Sequence, residues 1–126
     1  MMKKFLPLFL LPLLLTGCNA TFTNLTPRQY VRNADNLYPV EVAFNSRQQT
    51  LRWDSIKPQI IVGKQMIPMH PTPLMTNRWE GLVPVAPNDN NVRYHYRFDY
   101  EKTDFGHTTP DNAISPEYKL NVITPR

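Results

Sequence analysis

Three residues whose side chains could bind a metal ion lie close together near the C-terminus: Asp104, His107 and Asp111. Carboxylate oxygens and imidazole nitrogens are common ligands of metal ions in proteins. Their spacing matches neither the paired-ligand patterns of zinc sites nor the calcium-binding loop of an EF-hand. We therefore predict no metal site and no cofactor from these residues.

Nucleophilic catalysis has little support in the sequence. The serines are Ser46, Ser55 and Ser115, and none stands in a Gly-x-Ser-x-Gly elbow. The four glycines do not form a phosphate-binding loop. Carboxylate pairs such as Glu101 with Asp104 could be brought together by any fold, and the sequence favours none of them. We predict that the protein is not an enzyme.

Aromatic residues beside charged ones are the sequence features closest to a ligand site. Sugars stack on exposed aromatic rings next to polar side chains, and Arg78-Trp79-Glu80 has this composition. Together with Tyr94-His95-Tyr96-Arg97, it is similar to the Trp-strand and Tyr-x-Tyr elements of starch-binding β-sandwich modules. The resemblance implies a glycan as ligand, with Arg78, Trp79 and Glu80 as candidate binding residues. The competing interpretation is that these aromatic side chains form a core.

The N-terminus has the organisation of an export signal. Two lysines precede an apolar run, Phe5 to Leu15, and the small residues Thr16 and Gly17 follow it. Leu15-Thr16-Gly17-Cys18 resembles the lipobox of bacterial lipoprotein precursors. The resemblance implies that residues 1–17 are a cleaved signal peptide and that the Cys18 thiol receives a diacylglyceryl group. It also implies attachment to a membrane through the acylated Cys18.

Two simpler interpretations of this segment fit less well. The apolar run is much shorter than the ~20 residues that a membrane-spanning helix needs, and Pro7 and Pro12 interrupt it. An ordinary secretory signal would leave Cys18 as an unpaired reactive thiol.

In lipoproteins, an Asp after the cysteine retains the protein at the inner membrane. This chain has Asn19, which favours the outer membrane of a bacterial cell envelope.

Composition limits what the mature part can be. The 126-residue chain leaves about a hundred residues after the signal, enough for one domain with a modest core. The net charge of +4 includes Lys3 and Lys4 of the signal, and the other basic residues are dispersed, so we expect no nucleic-acid partner. A single cysteine allows no disulfide within the chain. Packing alone must stabilise the domain.

Alternating apolar and polar residues predict β-strands. In Tyr38 to Phe44, Tyr38, Val40, Val42 and Phe44 share one side. The clearest strand is Val92 to Tyr100, with Tyr94, Tyr96 and Phe98 on the core side and Arg93, His95 and Arg97 on the other. In Thr50 to Asp54, we expect Leu51 and Trp53 to point inward.

Other segments predict connections. Gly63-Lys64 favours a tight hairpin, whereas Pro68 to Pro73 can form only a loop or an edge. Thr26-Pro27-Arg28-Gln29 has the residues of a helix start and predicts at most a single turn. Glu101 to Glu117, which contains Gly106, Pro110 and Pro116, is interpreted as a long connection.

Together these patterns predict an all-β fold: a small antiparallel β-sandwich of immunoglobulin-like type, with about seven strands, after a cleaved signal peptide. A small barrel and a transthyretin-like sandwich remain alternatives. The predicted division is a signal peptide at 1–17, a lipidated N-terminus and linker at 18–36, and the sandwich at 37–126. An immunoglobulin-like sandwich often buries a Trp where Trp53 stands.

For function, the sequence favours a lipid-anchored envelope protein whose domain is a structural or adaptor module. Its sheet edges and loops would contact another envelope protein. A carbohydrate-binding surface module that uses exposed Trp and Tyr side chains is the alternative.

Overall fold

A computed structural model describes residues 20–125 of the chain. The predicted signal peptide, Cys18 and Asn19 lie outside the described residues. Within the described part the regular structure is entirely β-strand, which confirms the predicted fold class.

Ten strands form two sheets, rather than the seven strands predicted. The four-stranded sheet has the order β1-β3-β7-β6, and the six-stranded sheet has the order β2-β10-β8-β4-β5 with β9 also paired to β8. The strands are β1 (Ala20–Asn24), β2 (Gln29–Val31), β3 (Leu37–Ser46), β4 (Leu51–Val62), β5 (Gln65–Pro68), β6 (His70–Pro71), β7 (Arg78–Pro84), β8 (Asn91–Asp104), β9 (His107–Ile114) and β10 (Tyr118–Ile123).

This strand order is that of an immunoglobulin-like sandwich. Strands β1, β3, β7 and β6 take the places of A, B, E and D, and β10, β8, β4 and β5 take those of G, F, C and C′. Strand β2 adds to the second sheet by pairing in parallel with β10. All other strand pairs are antiparallel.

The interpretation of Glu101 to Glu117 as a long connection was wrong. Strand β8 continues to Asp104 and returns through a two-residue turn into β9. Strands β9 and β10 then follow one another along the same edge of β8, separated by a break at Ser115 to Glu117. The Ser115 hydroxyl accepts a hydrogen bond from the Tyr96 amide at 2.8 Å, so the ladder stays satisfied where Pro116 interrupts it.

The expected inward position of Trp53 was also wrong. Strand β4 contains a bulge, because its register with β8 shifts between Arg52 and Lys57. The Ser55 hydroxyl secures the bulge by accepting from the Glu101 amide at 2.8 Å. At this end of β4 only Leu51 is buried, and Trp53 keeps 41% exposure at the rim, with its ring 6.0 Å from that of Phe44.

Residues 20–36, assigned by sequence to the lipidated N-terminus and linker, contribute strands to both sheets. Strand β1 pairs with β3, and after Asn24 the chain crosses to form β2. No helical turn forms at Thr26 to Gln29. Beyond its pairing with β1, the edge of β3 has backbone carbonyls that accept hydrogen bonds from side chains. The Thr26 hydroxyl donates to the Glu41 carbonyl, and the Tyr30 hydroxyl donates to the Pro39 carbonyl.

The core lies between the sheets and follows the predicted alternation. The inward side chains of β3 and β8 are buried as expected, and β10 adds Leu120 and Val122. Gly81 on β7 allows the sheets to approach closely, since a Cβ atom there would lie 2.8 Å from Cδ1 of buried Ile60. The main buried residues are Tyr38, Val40, Val42, Phe44, Ile60, Val83, Tyr94, Tyr96, Phe98 and Leu120.

We predict that Phe98→Ala lowers the free energy of unfolding by about 3–5 kcal/mol, because it removes a fully buried ring. Arg97→Ala is the matched control on the opposite face of β8. Arg97 forms a 3.1 Å ion pair with Asp99, but its side chain is 42% exposed, so its loss should cost less than about 1 kcal/mol. Urea unfolding of the acyl-free protein measures both. A larger effect of Arg97→Ala than of Phe98→Ala would contradict this orientation of β8.

Candidate functional site

The three candidate ligand-binding residues occupy consecutive positions on β7 and therefore point to opposite sides of the sheet. Trp79 packs against the core, with its ring 5.1 Å from the ring of Phe98 and nearly perpendicular to it. Arg78 and Glu80 lie on the outer face. The structure thus separates the aromatic ring from the two charged groups that would accompany it in a sugar site.

On the outer face of the four-stranded sheet, Arg78 and Glu80 belong to a row of charged side chains. Arg78 lies 3.8 Å from the Glu41 carboxylate on β3, and Glu80 lies 3.5 Å from the His70 imidazole on β6. Glu41 and Glu80 are themselves cross-strand partners, and each carboxylate has a basic side chain on its other side. Because these groups are partly exposed, the pairs contribute modestly to stability.

An apolar strip continues this outer face toward the end where β3 begins. Leu37 is the cross-strand partner of Pro84, and Pro39 is that of Leu82. Leu82 keeps 48% exposure, and Leu37 is also exposed. We call Leu37, Pro39, Leu82 and Pro84 the outer-face strip.

The candidate metal ligands lie on the two strands of the β8–β9 hairpin. Asp104 and His107 are cross-strand partners beside the turn. Asp111 lies further along β9, where its carboxylate is 3.6 Å from the Lys102 ammonium. Between residues 20 and 125, no three His, Cys, Asp or Glu side chains converge as metal ligands would.

The three serine hydroxyls are engaged with the backbone. Ser55 Oγ donates to the Arg52 carbonyl at 2.6 Å, Ser115 Oγ donates to the Pro116 carbonyl at 2.8 Å, and Ser46 Oγ accepts from the Gln48 amide at 3.1 Å. Ser55 also lines an open groove of about 720 Å³ between the β4 bulge and β9. Within this groove Arg97 forms an ion pair with Asp99.

A polar cluster between the sheets was not predicted from sequence. The Asn24 side chain on β1 donates to the Tyr94 hydroxyl at 2.8 Å and accepts from the Tyr96 hydroxyl at 2.6 Å. Thr26 Oγ1 lies 3.3 Å from the Tyr96 hydroxyl. Burial raises the pKa of Tyr96 well above its ordinary value, so the hydroxyl stays protonated and can donate. Buried tyrosines require such partners, but only the fold identifies Asn24 as one.

Loops and the entering chain meet at one end of the sandwich. Ala20 pairs with Ser46, the last residue of β3, so the described chain begins at the same end as the β3–β4 loop. Because β6 and β8 also end here, the β6–β7 loop and the β8–β9 turn belong to this end. We call it the N-terminal end. Its exposed large apolar side chains are Trp53, Leu74, Met75 and Phe105. Sequence patterns placed Trp53 inward and Phe105 in a long connection.

Comparisons of the chain with protein-family models, curated proteins and solved structures found no match. In the part of the chain that the structure describes, no helix has the length and apolar character needed to span a membrane.

Alkaline pH should destabilise the protein through Tyr96. The folded state retains a hydroxyl proton that the unfolded chain releases above its ordinary pKa of 10.0, so the free energy of unfolding should fall as the pH rises beyond 10. Tyr96→Phe should make this decline shallower. Near pH 7 it should cost about 0.5–1.5 kcal/mol through the lost hydrogen bond.

The matched control for this prediction is Tyr118→Phe. Tyr118 is only partly buried, although burial raises its pKa as well. It should change the alkaline slope less than Tyr96→Phe does. Urea unfolding between pH 7 and pH 11 provides the measurement, and an unchanged slope in Tyr96→Phe would show that this hydroxyl does not govern the alkaline response.

Proposed function

We propose that the protein is a lipid-anchored component of a bacterial cell envelope, whose β-sandwich is a non-enzymatic structural or protein-interaction module. The observation that carries the proposal is the position of the chain's only cysteine. Cys18 ends the lipobox-like Leu15-Thr16-Gly17-Cys18 and stands two residues before β1. An acyl anchor at Cys18 would therefore be joined almost directly to a strand of the folded domain.

The anchor requires more than one acyl chain. Each buried methylene contributes about 0.8 kcal/mol, and a single chain holds a protein at a membrane only marginally. Resemblance to lipoproteins implies several chains on Cys18 and hence stable attachment. Asn19, at the position where Asp retains lipoproteins at the inner membrane, supports placement in the outer membrane.

For the interaction module, we assign the protein contact to the outer-face strip. Leu37 and Leu82 place apolar surface beside the charged row formed by Glu41, Arg78 and Glu80. An apolar centre bordered by polar groups is the usual composition of a protein interface. The glycan alternative has less support, because Trp79 packs into the core and offers no exposed ring beside Arg78 and Glu80.

Replacing Cys18 by Ser tests the anchor. Because serine has no thiol to acylate, Cys18→Ser should remain unprocessed or become soluble, and radiolabelled palmitate should enter only the wild-type protein. Fractionation of cell membranes and autoradiography measure these two outcomes. Palmitate in the serine variant would rule out Cys18 as the acylated residue.

The interaction module is tested by placing a charge in the outer-face strip. Leu82→Glu should abolish recovery of the partner when the lipidated protein is purified from detergent-solubilised envelopes, because a carboxylate would be buried in the contact. Ile114→Glu is the matched control, since Ile114 is a similarly exposed apolar residue on the other sheet.

A photoreactive side chain at position 82 should cross-link to the same partner. A partner that both glutamate variants retain would place the contact elsewhere. Purification without any stoichiometric partner would reject the adaptor function.

A further inference from the structure

The loops at the N-terminal end contain fewer charged residues than those at the opposite end. They comprise residues 47–50, 72–77 and 105–106, and Arg47 is their only charged residue. At the opposite end, the connections at 32–36, 63–64 and 85–90 contain Arg32, Asp35, Lys64 and Asp89. The loops at the two ends of the domain therefore differ in charge.

Two side chains at the N-terminal end stand out by their exposure. Phe105 and Leu74 are fully exposed, whereas the other exposed large apolar side chains of residues 20–125 keep between 37 and 58% of their surface. Phe105 lies at the tip of the β8–β9 hairpin, which extends about two residues beyond the last β4–β8 pair, Leu51 with Lys102. The ring is thereby held away from the sandwich.

The backbone at these two positions gives no reason for an apolar residue. Phe105 has φ 50° and Leu74 has φ 64°, in the left-handed region that bulky residues rarely adopt. With Gly106 at φ 79°, the hairpin turn has both central residues at positive φ, where Asn, Asp or Gly is preferred. Neither packing within the domain nor turn geometry therefore explains Phe105, so an external contact is the remaining physical role.

The position of Cys18 in the sequence indicates what would lie at this end. Ala20 enters the four-stranded sheet beside Ser46, and Cys18 precedes Ala20 by two residues, a reach of roughly 7 Å at most. An acylated Cys18 would thus hold the N-terminal end against the lipid surface. Aromatic and aliphatic side chains with few charges are suited to the membrane interface.

We propose that the N-terminal end of the sandwich lies on the membrane. Phe105 and Leu74 insert into the interfacial layer of the bilayer, and the less exposed Trp53 and Met75 lie at the edge of this contact. The proposal rests on the proposed function, because it requires the lipid on Cys18. It goes beyond anchoring, since it fixes the orientation of the domain and directs its opposite end away from the bilayer.

The test uses the full lipidated protein in vesicles of phosphatidylcholine and phosphatidylglycerol. Acylation consumes the only native thiol, so a cysteine introduced at position 105 can be labelled selectively with an environment-sensitive fluorophore. Lys64→Cys is the matched control, because Lys64 lies in an exposed two-residue turn at the opposite end. The Phe105→Cys label should shift to shorter emission wavelengths and be quenched by lipids that carry a headgroup-proximal spin label. The Lys64→Cys label should show neither effect.

Mass spectrometry of Cys18 distinguishes a failure of the proposed orientation from a failure of the proposed anchor. If Cys18 is acylated but the label at 105 is as water-exposed as the label at 64, the orientation is wrong and the anchor stands. Equal quenching at both positions would also overturn the orientation. If the label at 105 is shielded in native envelopes but not on vesicles, this end contacts a protein instead. If Cys18 carries no acyl group, the orientation falls together with the anchor.

Discussion

Contact between Phe44 and Phe98 joins the two sheets, and the rest of the sandwich depends on it. Their ring centroids are 4.9 Å apart, and they belong to β3 and β8, the strands that an antibody domain links by its disulfide. Phe98 also contacts the ring of Phe22 on β1 and that of Trp79 on β7. Phe98 of the six-stranded sheet thus contacts side chains from β1, β3 and β7 of the other sheet. With a single cysteine in the chain, packing here takes the place of a covalent link.

The elements that sequence patterns predicted well are those in which one face is buried throughout. Strands β3 and β8 alternate strictly, so the apolar set identifies both the strand and its inward side. The β4–β5 hairpin was equally readable, because Gly63 supplies the positive φ of 59° that its turn requires. In these segments local preference and tertiary burial point to the same structure.

Where the prediction failed, a serine side chain accepts a β8 backbone hydrogen bond that a neighbouring strand would otherwise accept. Ser115 and Ser55 supply the bonds that keep β8 satisfied beside a proline and beside a bulge. Such substitutions leave no periodic pattern, so β9 was missed and Trp53 was expected in the core although it lies at the rim. The candidate ligand-binding residues are a different case: the alternation of β7 places Trp79 on the core side and Arg78 and Glu80 on the outer face, which composition alone could not show. Convergence of the three loops at one end depends on topology and has no local signal.

Strand direction also has a mechanical consequence. Ala20 lies at one end of the long axis and Ile123 at the other, because β10 runs toward the end at which β3 begins. Tension between a fixed N-terminus and a load at the far end would act along the strands of the β1–β3 and β2–β10 pairs. When the force runs parallel to the strands, the hydrogen bonds of a pair share it and break together. When the force runs perpendicular to the strands, the bonds break one after another. Stretching along the long axis would therefore load these two strand pairs in shear, with no disulfide to share the force.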